Sequence, residues 1–237
     1  YVLVFVGALT VVTVAATVLT GLLRSWLGLQ NNGELRIALP TISVFGLLWA
    51  YHALELQRDA KLAPDVPSQS AIRRLYLYIL ATIGLAAMLI GVGGDISVLI
   101  LMISESGFGD GLREQVAGCS AALVAGLPVW LLSWRKAQLT SQSAGVEGQL
   151  ERRATVRKVY LYLFLFVAAM TVLTSSVVIL SQLLNLVLGT KSPEDLPSML
   201  AHAIAFSALA AGLWTYHRAC LREDSNREAT ELRQQAT

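Results

Sequence analysis

The stretch RRLYLYILATIGLAAMLIGVGGDISVLILMIS, residues 73–104, starts with two arginines and then stays almost wholly apolar. A membrane-spanning α-helix needs about 20 consecutive apolar residues, and this run is longer. Its opening returns as Arg157-Lys158-Val159-Tyr160-Leu161-Tyr162, which again precedes a long apolar run. The stretch therefore predicts a membrane helix that recurs within the chain.

A second set of marks closes each repeat. These marks are Trp49-Ala50-Tyr51-His52, Trp130-Leu131-Leu132-Ser133 and Trp214-Thr215-Tyr216-His217. An internal repeat is the strongest single guide to a fold, because each copy must adopt the same local structure. Together the marks predict three tandem helical hairpins, at residues 1–57, 72–136 and 155–221, followed by a polar C-terminal tail at 222–237.

The composition places these hairpins in a bilayer. Hydrophobic residues make up 55% of the chain and charged residues only 14%, with a mean hydropathy of +0.59. Lipid offers the backbone no hydrogen-bond partners, so helices satisfy it where open strands would not. The sequence predicts an all-α membrane protein with six transmembrane helices. They lie near residues 1–23, 35–57, 74–103, 112–136, 158–188 and 197–220.

The basic residues predict the orientation, because cytoplasmic loops of membrane proteins carry an excess of Lys and Arg. One predicted side holds 14 of the 18 basic residues, and the hairpin tips hold only Arg24, Arg36, Arg113 and Lys191. The N- and C-termini and both linkers are therefore expected in the cytoplasm. Tyr1 occupies the position of Tyr76 and Tyr160, so the basic pair of the first hairpin is expected upstream of it, beyond a truncated N-terminus.

Small residues follow one face of each even-numbered predicted helix. The stripes include Gly46 and Ala50, then Gly118, Ala122 and Gly126, then Ala205, Ala208 and Gly212. Such stripes let helix backbones approach closely, which drives association within a membrane. They predict that the even helices pack at the centre, while bulkier odd helices, with Phe164 and Phe166, face lipid or partners. The alternative is that the stripes contact another subunit.

One carboxylate, Asp95, falls within a predicted span. It lies about 30 Å along the helix axis from the basic cytoplasmic start, which places it near the outer surface. An interfacial or helix-ending aspartate is one interpretation, and an ion or proton path is the other, because acids inside a span are usually functional. Gln182 and Asn185 stand at similar depth and are candidates for the same path.

His52 and His217 occupy equivalent positions in the closing marks. With the neighbouring Trp and Tyr side chains they fit an aromatic belt at the membrane surface. The alternative is that neutral imidazoles hold a haem or a chlorophyll-type pigment. No cofactor is predicted beyond that alternative. Three His and two scattered Cys are too few for a dedicated metal centre.

No enzyme signature is present in the sequence: it has no phosphate-binding Gly-rich loop, no His-Glu-x-x-His and no nucleophile elbow. A basic face on a soluble domain, typical of nucleic-acid binding, is also missing. The sequence favours a non-catalytic structural or accessory subunit of a larger membrane complex, whose partners are the lipid bilayer and other membrane subunits or itself. A small transporter or channel and a haem- or pigment-binding electron-transfer subunit stay open as alternatives.

Several landmarks also carry a resemblance. The motifs at residues 73–78, 157–162 and 213–217, with Gly-Leu-Pro-Val-Trp at 126–130, resemble a family of bacterial multi-pass membrane proteins known only as a domain of unknown function. The resemblance implies hairpin repeats and a bacterial inner membrane. It brings no catalytic or binding residues.

Overall fold

The structure is a computed structural model that describes residues 2–30, 34–62, 67–104, 107–189 and 196–235. Throughout these ranges every regular element is an α-helix, as the sequence predicts. The helices are α1 (Val2–Trp26), α2 (Glu34–Leu62), α3 (Pro67–Ser104), α4 (Asp110–Gln142), α5 (Val146–Arg153), α6 (Thr155–Val187) and α7 (Leu196–Gln235).

Five of these helices are long and apolar enough to cross a membrane. The qualifying segments are Val6–Trp26, Ser70–Ile103, Asp110–Gln142, Thr155–Val187 and Leu196–Arg233. Each belongs to a different one of α1, α3, α4, α6 and α7. The remaining predicted span, residues 35–57, is helical and lies within α2, which contains Pro40. The described residues therefore contain five candidate membrane-spanning helices, and the count of six stays a prediction.

The helices form two compact units, described separately. The first comprises Tyr1–Val98 and Phe108–Ala137, in which α1 packs against α2 and α3 packs against α4. A Cβ atom at Gly84 would lie 2.5 Å from the backbone nitrogen of Trp130, and one at Gly126 would lie 2.8 Å from the Gly84 carbonyl oxygen. Since no side chain fits into these gaps, glycine alone permits such close contact between α3 and α4.

Side-chain contacts in the first unit join α4 to α3 near one end and to α1 near the other. The rings of Tyr78 and Trp134, both buried, meet edge to face with centroids 6.4 Å apart. At the other end of α4, Arg24 of α1 forms an ion pair with Glu114. Because Arg24 is mostly buried, this pair fixes the end of α1 against the beginning of α4.

The second unit comprises Leu99–Gly107 and Gln138–Thr237, and its main contact is between α6 and α7. Buried apolar side chains include Leu161, Phe164 and Ala168 on α6 and Ala203 and Ala210 on α7. The buried positions recur every three, four or seven residues along each helix, the spacing that places side chains on one face. The short helix α5 packs against both α6 and α7.

Two predicted boundaries fall inside continuous helices. The second hairpin was expected to end at residue 136, but α4 runs to Gln142, and the polar tail expected from residue 222 is the last part of α7. The apolar pattern ends at both places, yet polar residues such as Gln, Glu and Arg are good helix formers, so the helices continue. The hairpin repeat itself, and the domain boundaries based on it, stay predictions.

Candidate functional site

Charged side chains converge where the ends of α4 and α7 meet α5 and the start of α6. All of them belong to the second unit. The group, here called the charged junction, consists of Arg152, Arg153, Arg157, Asp224, Glu228 and Glu231 together with the end of α4 at residues 138–143. Three of its charged residues, Arg152, Arg157 and Asp224, are buried.

Arg157 forms the centre of the charged junction. Its side chain is 0% exposed, and its Nε and Nη2 donate to the two carboxylate oxygens of Asp224 at 2.6 Å and 3.0 Å. Nη2 also donates to Oε1 of Gln138 at 2.8 Å, which joins α4 to the pair. A buried charge is tolerated only when it is paired and hydrogen-bonded, and this arginine meets both conditions.

Two other arginines cap the end of α4. The last carbonyl groups of a helix lack partners within the helix and carry partial negative charge. Arg152 donates to the Ser141 carbonyl oxygen through Nη1, which also lies 3.4 Å from that of Ser143. Arg227 donates to the Gln142 carbonyl oxygen at 3.2 Å. The end of α4 therefore depends on α5 and α7.

Two glycines make the turn after α4 possible. Gly145 has φ of 86°, a left-handed conformation that glycine adopts without strain. Gly148 lies against the Ser143 carbonyl, and a Cβ atom there would also lie 2.9 Å from Nη1 of Arg152. The missing side chain at Gly148 leaves room for the Arg152 guanidinium to reach the end of α4.

The polar end of α7 supplies acidic partners at helical spacing. Asp224, Glu228 and Glu231 lie four and three residues apart, so they share one face of the helix. Asp224 pairs with Arg157, Glu228 with Arg153 at 2.8 Å, and Glu231 with Arg152. The sequence predicts this segment only as a polar C-terminal tail. The acidic stripe was the signal that one of its faces is packed against basic residues.

The two predicted cofactor ligands lie in different units. His217, in the second, is fully buried, with its ring centroid 5.7 Å from that of Tyr160 and 5.4 Å from that of Phe164. Its Nδ1 donates to the Leu213 carbonyl oxygen at 2.9 Å. His52, in the first, lies 5.3 Å from the Tyr51 ring. Aromatic side chains occupy the space beside His217, and its pairing with His52 stays a prediction.

The predicted polar path is likewise divided between the units. In the first, the Ser120 hydroxyl lies 3.1 Å and 3.2 Å from the two carboxylate oxygens of Asp95. In the second, Gln182 is buried and its Nε2 donates to the Met199 sulfur at 3.5 Å. Asn185 lies three residues further along α6 and is half-buried. The two parts are described independently, so a common path stays a prediction.

Some residues of the predicted small-residue stripes pack against a neighbouring helix, and others have no described neighbour. Gly126 is in contact with α3, as described above. A Cβ atom added at Gly46, Gly118 or Gly212 would have no described heavy atom within 4 Å. The predicted alanines have intermediate or greater exposure: Ala50, Ala122 and Ala205 are half-buried and Ala208 is exposed. Parts of these stripes thus remain open in the single chain.

A shallow apolar groove of about 400 Å³ opens beside the middle of α6. Its walls include Phe166, Met170 and Phe206, with the hydroxyls of Thr171 and Thr174. Among the residues that the structure describes, no three His, Cys, Asp or Glu side chains are grouped to hold a metal ion.

Comparisons with known proteins identify a family. Residues 74–212 match the family model of a domain of unknown function, DUF5671. The match covers more than half of the chain, so the chain belongs to this family. No curated protein and no solved structure matches it. The expectation of a family without an established function is thereby confirmed in its general form.

Proposed function

We propose that this member of the DUF5671 family is a non-catalytic membrane protein that serves as a structural or accessory subunit of a larger membrane complex. In this proposal α2 supplies a sixth crossing, both termini lie in the cytoplasm, and the membrane is the bacterial inner membrane. The excess of basic residues beside the termini and linkers supports that orientation.

The observation that carries the proposal is the open space at three glycines. Gly46, Gly118 and Gly212 lie on α2, α4 and α7, and no described atom approaches the position of an added Cβ atom. In lipid, helices associate through close packing at small residues rather than through the hydrophobic effect. Gly126 shows such a contact within the chain, and the three open glycines offer the same kind of surface to a helix of another subunit.

The outward face of α6 supports the same interpretation. Large apolar side chains point away from the second unit along the whole helix, including Tyr162, Phe166, Leu173, Val177, Leu180 and Val187. A bilayer accommodates this face, and so does a neighbouring apolar helix. An exposed apolar face on α6 and open glycines on α2, α4 and α7 are surfaces that a partner helix in the membrane would cover.

The charged junction supports a structural role for the polar end of the protein. Its two buried arginines are bound to carboxylates and to carbonyl groups of the same chain. Buried ion pairs of this kind often define one arrangement of helices rather than adding much stability. The junction thus holds the end of α4, at residues 138–142, against α6 and α7 within the second unit.

The experiment is a comparison of glycine variants during gentle purification. Gly118→Leu and Gly212→Leu place a large side chain where an added Cβ atom meets no described atom within 4 Å, so we expect the variants to fold and to lose co-purifying subunits. Gly111→Leu is the matched control, because Gly111 also has open space but lies in the first turn of α4. It is expected to retain all partners.

Two results would count against an accessory role. One is a wild-type protein that purifies alone, as a single copy, from membranes solubilised in mild detergent. The other is an unchanged set of partners for both open-face variants. Helix content from circular dichroism distinguishes a lost partner from a lost fold.

A second candidate function, transport, is favoured by the geometry at Asp95. The carboxylate lies within the apolar segment of α3 and is bound to the Ser120 hydroxyl of α4. Ionisable groups inside a span are costly and commonly serve ion or proton paths. Flux of protons and monovalent cations into proteoliposomes tests this function. Transport through Asp95 requires that Asp95→Asn abolish a flux that the wild type supports.

A further inference from the structure

We propose that the polar end of α7 is an electrostatically held strap that covers a row of arginines and releases them to phosphate groups of anionic lipids. The strap is residues 222–235, the covered row is Arg152 and Arg153, and Arg157, paired with Asp224, is the anchor that stays bound. The strap as a device depends only on the second unit. Its lipid partner rests on the cytoplasmic, membrane-adjacent placement in the proposed function.

Ion pairs provide most of the contact between the strap and the rest of the second unit. Asp224, Glu228 and Glu231 reach α6 and α5 through Arg157, Arg153 and Arg152. The apolar side chain at Leu232 is 53% exposed, and Ala229 is also exposed. A helix segment held by charges with little apolar burial responds to ionic strength, because salt screens exposed charges.

The ion pairs along the strap are not equally well satisfied by hydrogen bonds. At Asp224 the pair is two-pointed, and the arginine is completely buried. At Glu228 both partners are partly exposed, with 50% for Arg153 and 32% for Glu228. At Glu231 the Nε of Arg152 and the Oε2 of Glu231 are buried without a hydrogen-bond partner among the described residues. Release therefore begins at the distal end, while the Arg157–Asp224 pair keeps the strap attached.

The guanidinium groups of the covered row indicate which ligand would compete with the strap carboxylates for them. Planar guanidinium groups bind phosphate oxygens at two points, as they bind carboxylates. Arg152 and Arg153 lie just ahead of the apolar run of α6, at the level where lipid headgroups meet a membrane helix. Basic residues at that position are attracted to anionic lipids of the cytoplasmic leaflet. Lipid phosphate and strap carboxylates are thus alternative partners for the same guanidinium groups.

Spin-label distances between α5 and the strap test the proposal in the full chain. Val146 and Leu232 are exposed, so labels at Val146→Cys and Leu232→Cys disturb few contacts. The native thiols are removed by Cys119→Ser and Cys220→Ala. In vesicles of phosphatidylcholine at low salt we expect one short distance. Adding phosphatidylglycerol is expected to raise a second, longer population. Replacing Glu228 and Glu231 by Gln is expected to raise it at least about fivefold, because it removes one partly exposed and one largely buried ion pair.

A matched control separates strap release from a general loss of charge. Glu223→Gln removes one negative charge from the same segment, but Glu223 pairs with Arg227 within the helix at 2.9 Å and, among the described residues, forms no ion pair with α5 or α6. It is expected to leave the distances unchanged. Hydrogen exchange of residues 224–233 in the unlabelled chain provides a second measurement if the cysteine variants do not fold.

Three results would overturn the inference. A distance distribution that is the same in neutral and anionic vesicles excludes lipid competition. A distribution that is unaffected by Glu228→Gln with Glu231→Gln excludes an electrostatic strap. An effect of anionic lipid that persists after Arg152→Gln with Arg153→Gln shows that the covered row is not its target. The second result tests the strap without reference to lipid, and the first and third test its lipid partner, so failure of the strap and failure of the proposed membrane placement can be told apart.

Discussion

Arg157 and Asp224 form a two-point ion pair inside the second unit, with Nε to Oδ2 at 2.6 Å and Nη2 to Oδ1 at 3.0 Å. Arg157 is at the start of α6 and Asp224 near the end of α7, so the pair joins the polar ends of two antiparallel helices. The same guanidinium reaches Gln138 of α4. One buried charge therefore joins α6, α7 and the last residues of α4 within the second unit.

Removal of one partner should be more harmful than removal of both. Asp224→Asn leaves a buried cation without its counterion, which costs about 3–5 kcal/mol. Arg157→Met combined with Asp224→Leu removes both charges and should cost less than Asp224→Asn alone. Thermal unfolding in detergent micelles compares the stabilities of the single and double variants. A double variant less stable than the single one would contradict this explanation, and Glu223→Gln serves as the exposed control.

The close contact between α3 and α4 predicts a contrast between two glycines of the same helix. At Gly126 a Cβ atom would meet the Gly84 carbonyl and the Met88 amide nitrogen at 2.8 Å, both of them backbone atoms. Gly126→Val should therefore separate the helices and destabilise the first unit by roughly 1–3 kcal/mol or more. Gly118→Val, where space is open, should change stability far less. Equal effects in the same unfolding assay would refute the tight contact.

Gly148 provides a test of the cap on α4. A side chain at this position meets the Ser143 carbonyl and the Arg152 guanidinium. We expect Gly148→Ala to push Arg152 away from the Ser141 carbonyl and to increase hydrogen exchange in the last turn of α4, at residues 138–142. Gly111→Ala, at the opposite end of α4 and in open space, is the control. Unchanged exchange in Gly148→Ala would show that Arg152 does not cap the helix.

The surroundings of His217 predict an absence of pigment. The ring lies between Tyr160 and Phe164, with its Nδ1 bound to the Leu213 carbonyl, so the imidazole is part of the packed seam between α6 and α7. Purified protein should show no Soret or chlorophyll band. His217→Ala should lower stability by about 2–4 kcal/mol through the cavity that it leaves. A visible band that disappears in His217→Ala would restore the electron-transfer alternative.

The helices were the part of the fold most accessible to sequence reasoning. Long apolar runs with few charges can satisfy their backbone hydrogen bonds in lipid only as helices. The helices α3 and α6 begin close to the basic pairs from which the sequence predicts their starts. The small-residue spacing also pointed to Gly126, which lies in a close contact between α3 and α4. Such features depend on local composition and spacing, which one sequence contains.

The charged junction could not be predicted from local composition and spacing. Arg157 and Asp224 are brought together by the register of α6 on α7, which neither helix determines alone. The acidic stripe at Asp224, Glu228 and Glu231 could have indicated a packed face, but an exposed helix with internal pairs has similar spacing. The helix α5 was also missed, because its polar sequence is equally compatible with a loop.

The most direct test of the accessory-subunit proposal is native mass spectrometry of the protein released from its own membrane in mild detergent. The proposal predicts a complex heavier than the single chain, and loss of that complex in Gly118→Leu or Gly212→Leu while Gly111→Leu retains it. A wild-type spectrum with one copy of the chain and no bound protein would contradict the proposal.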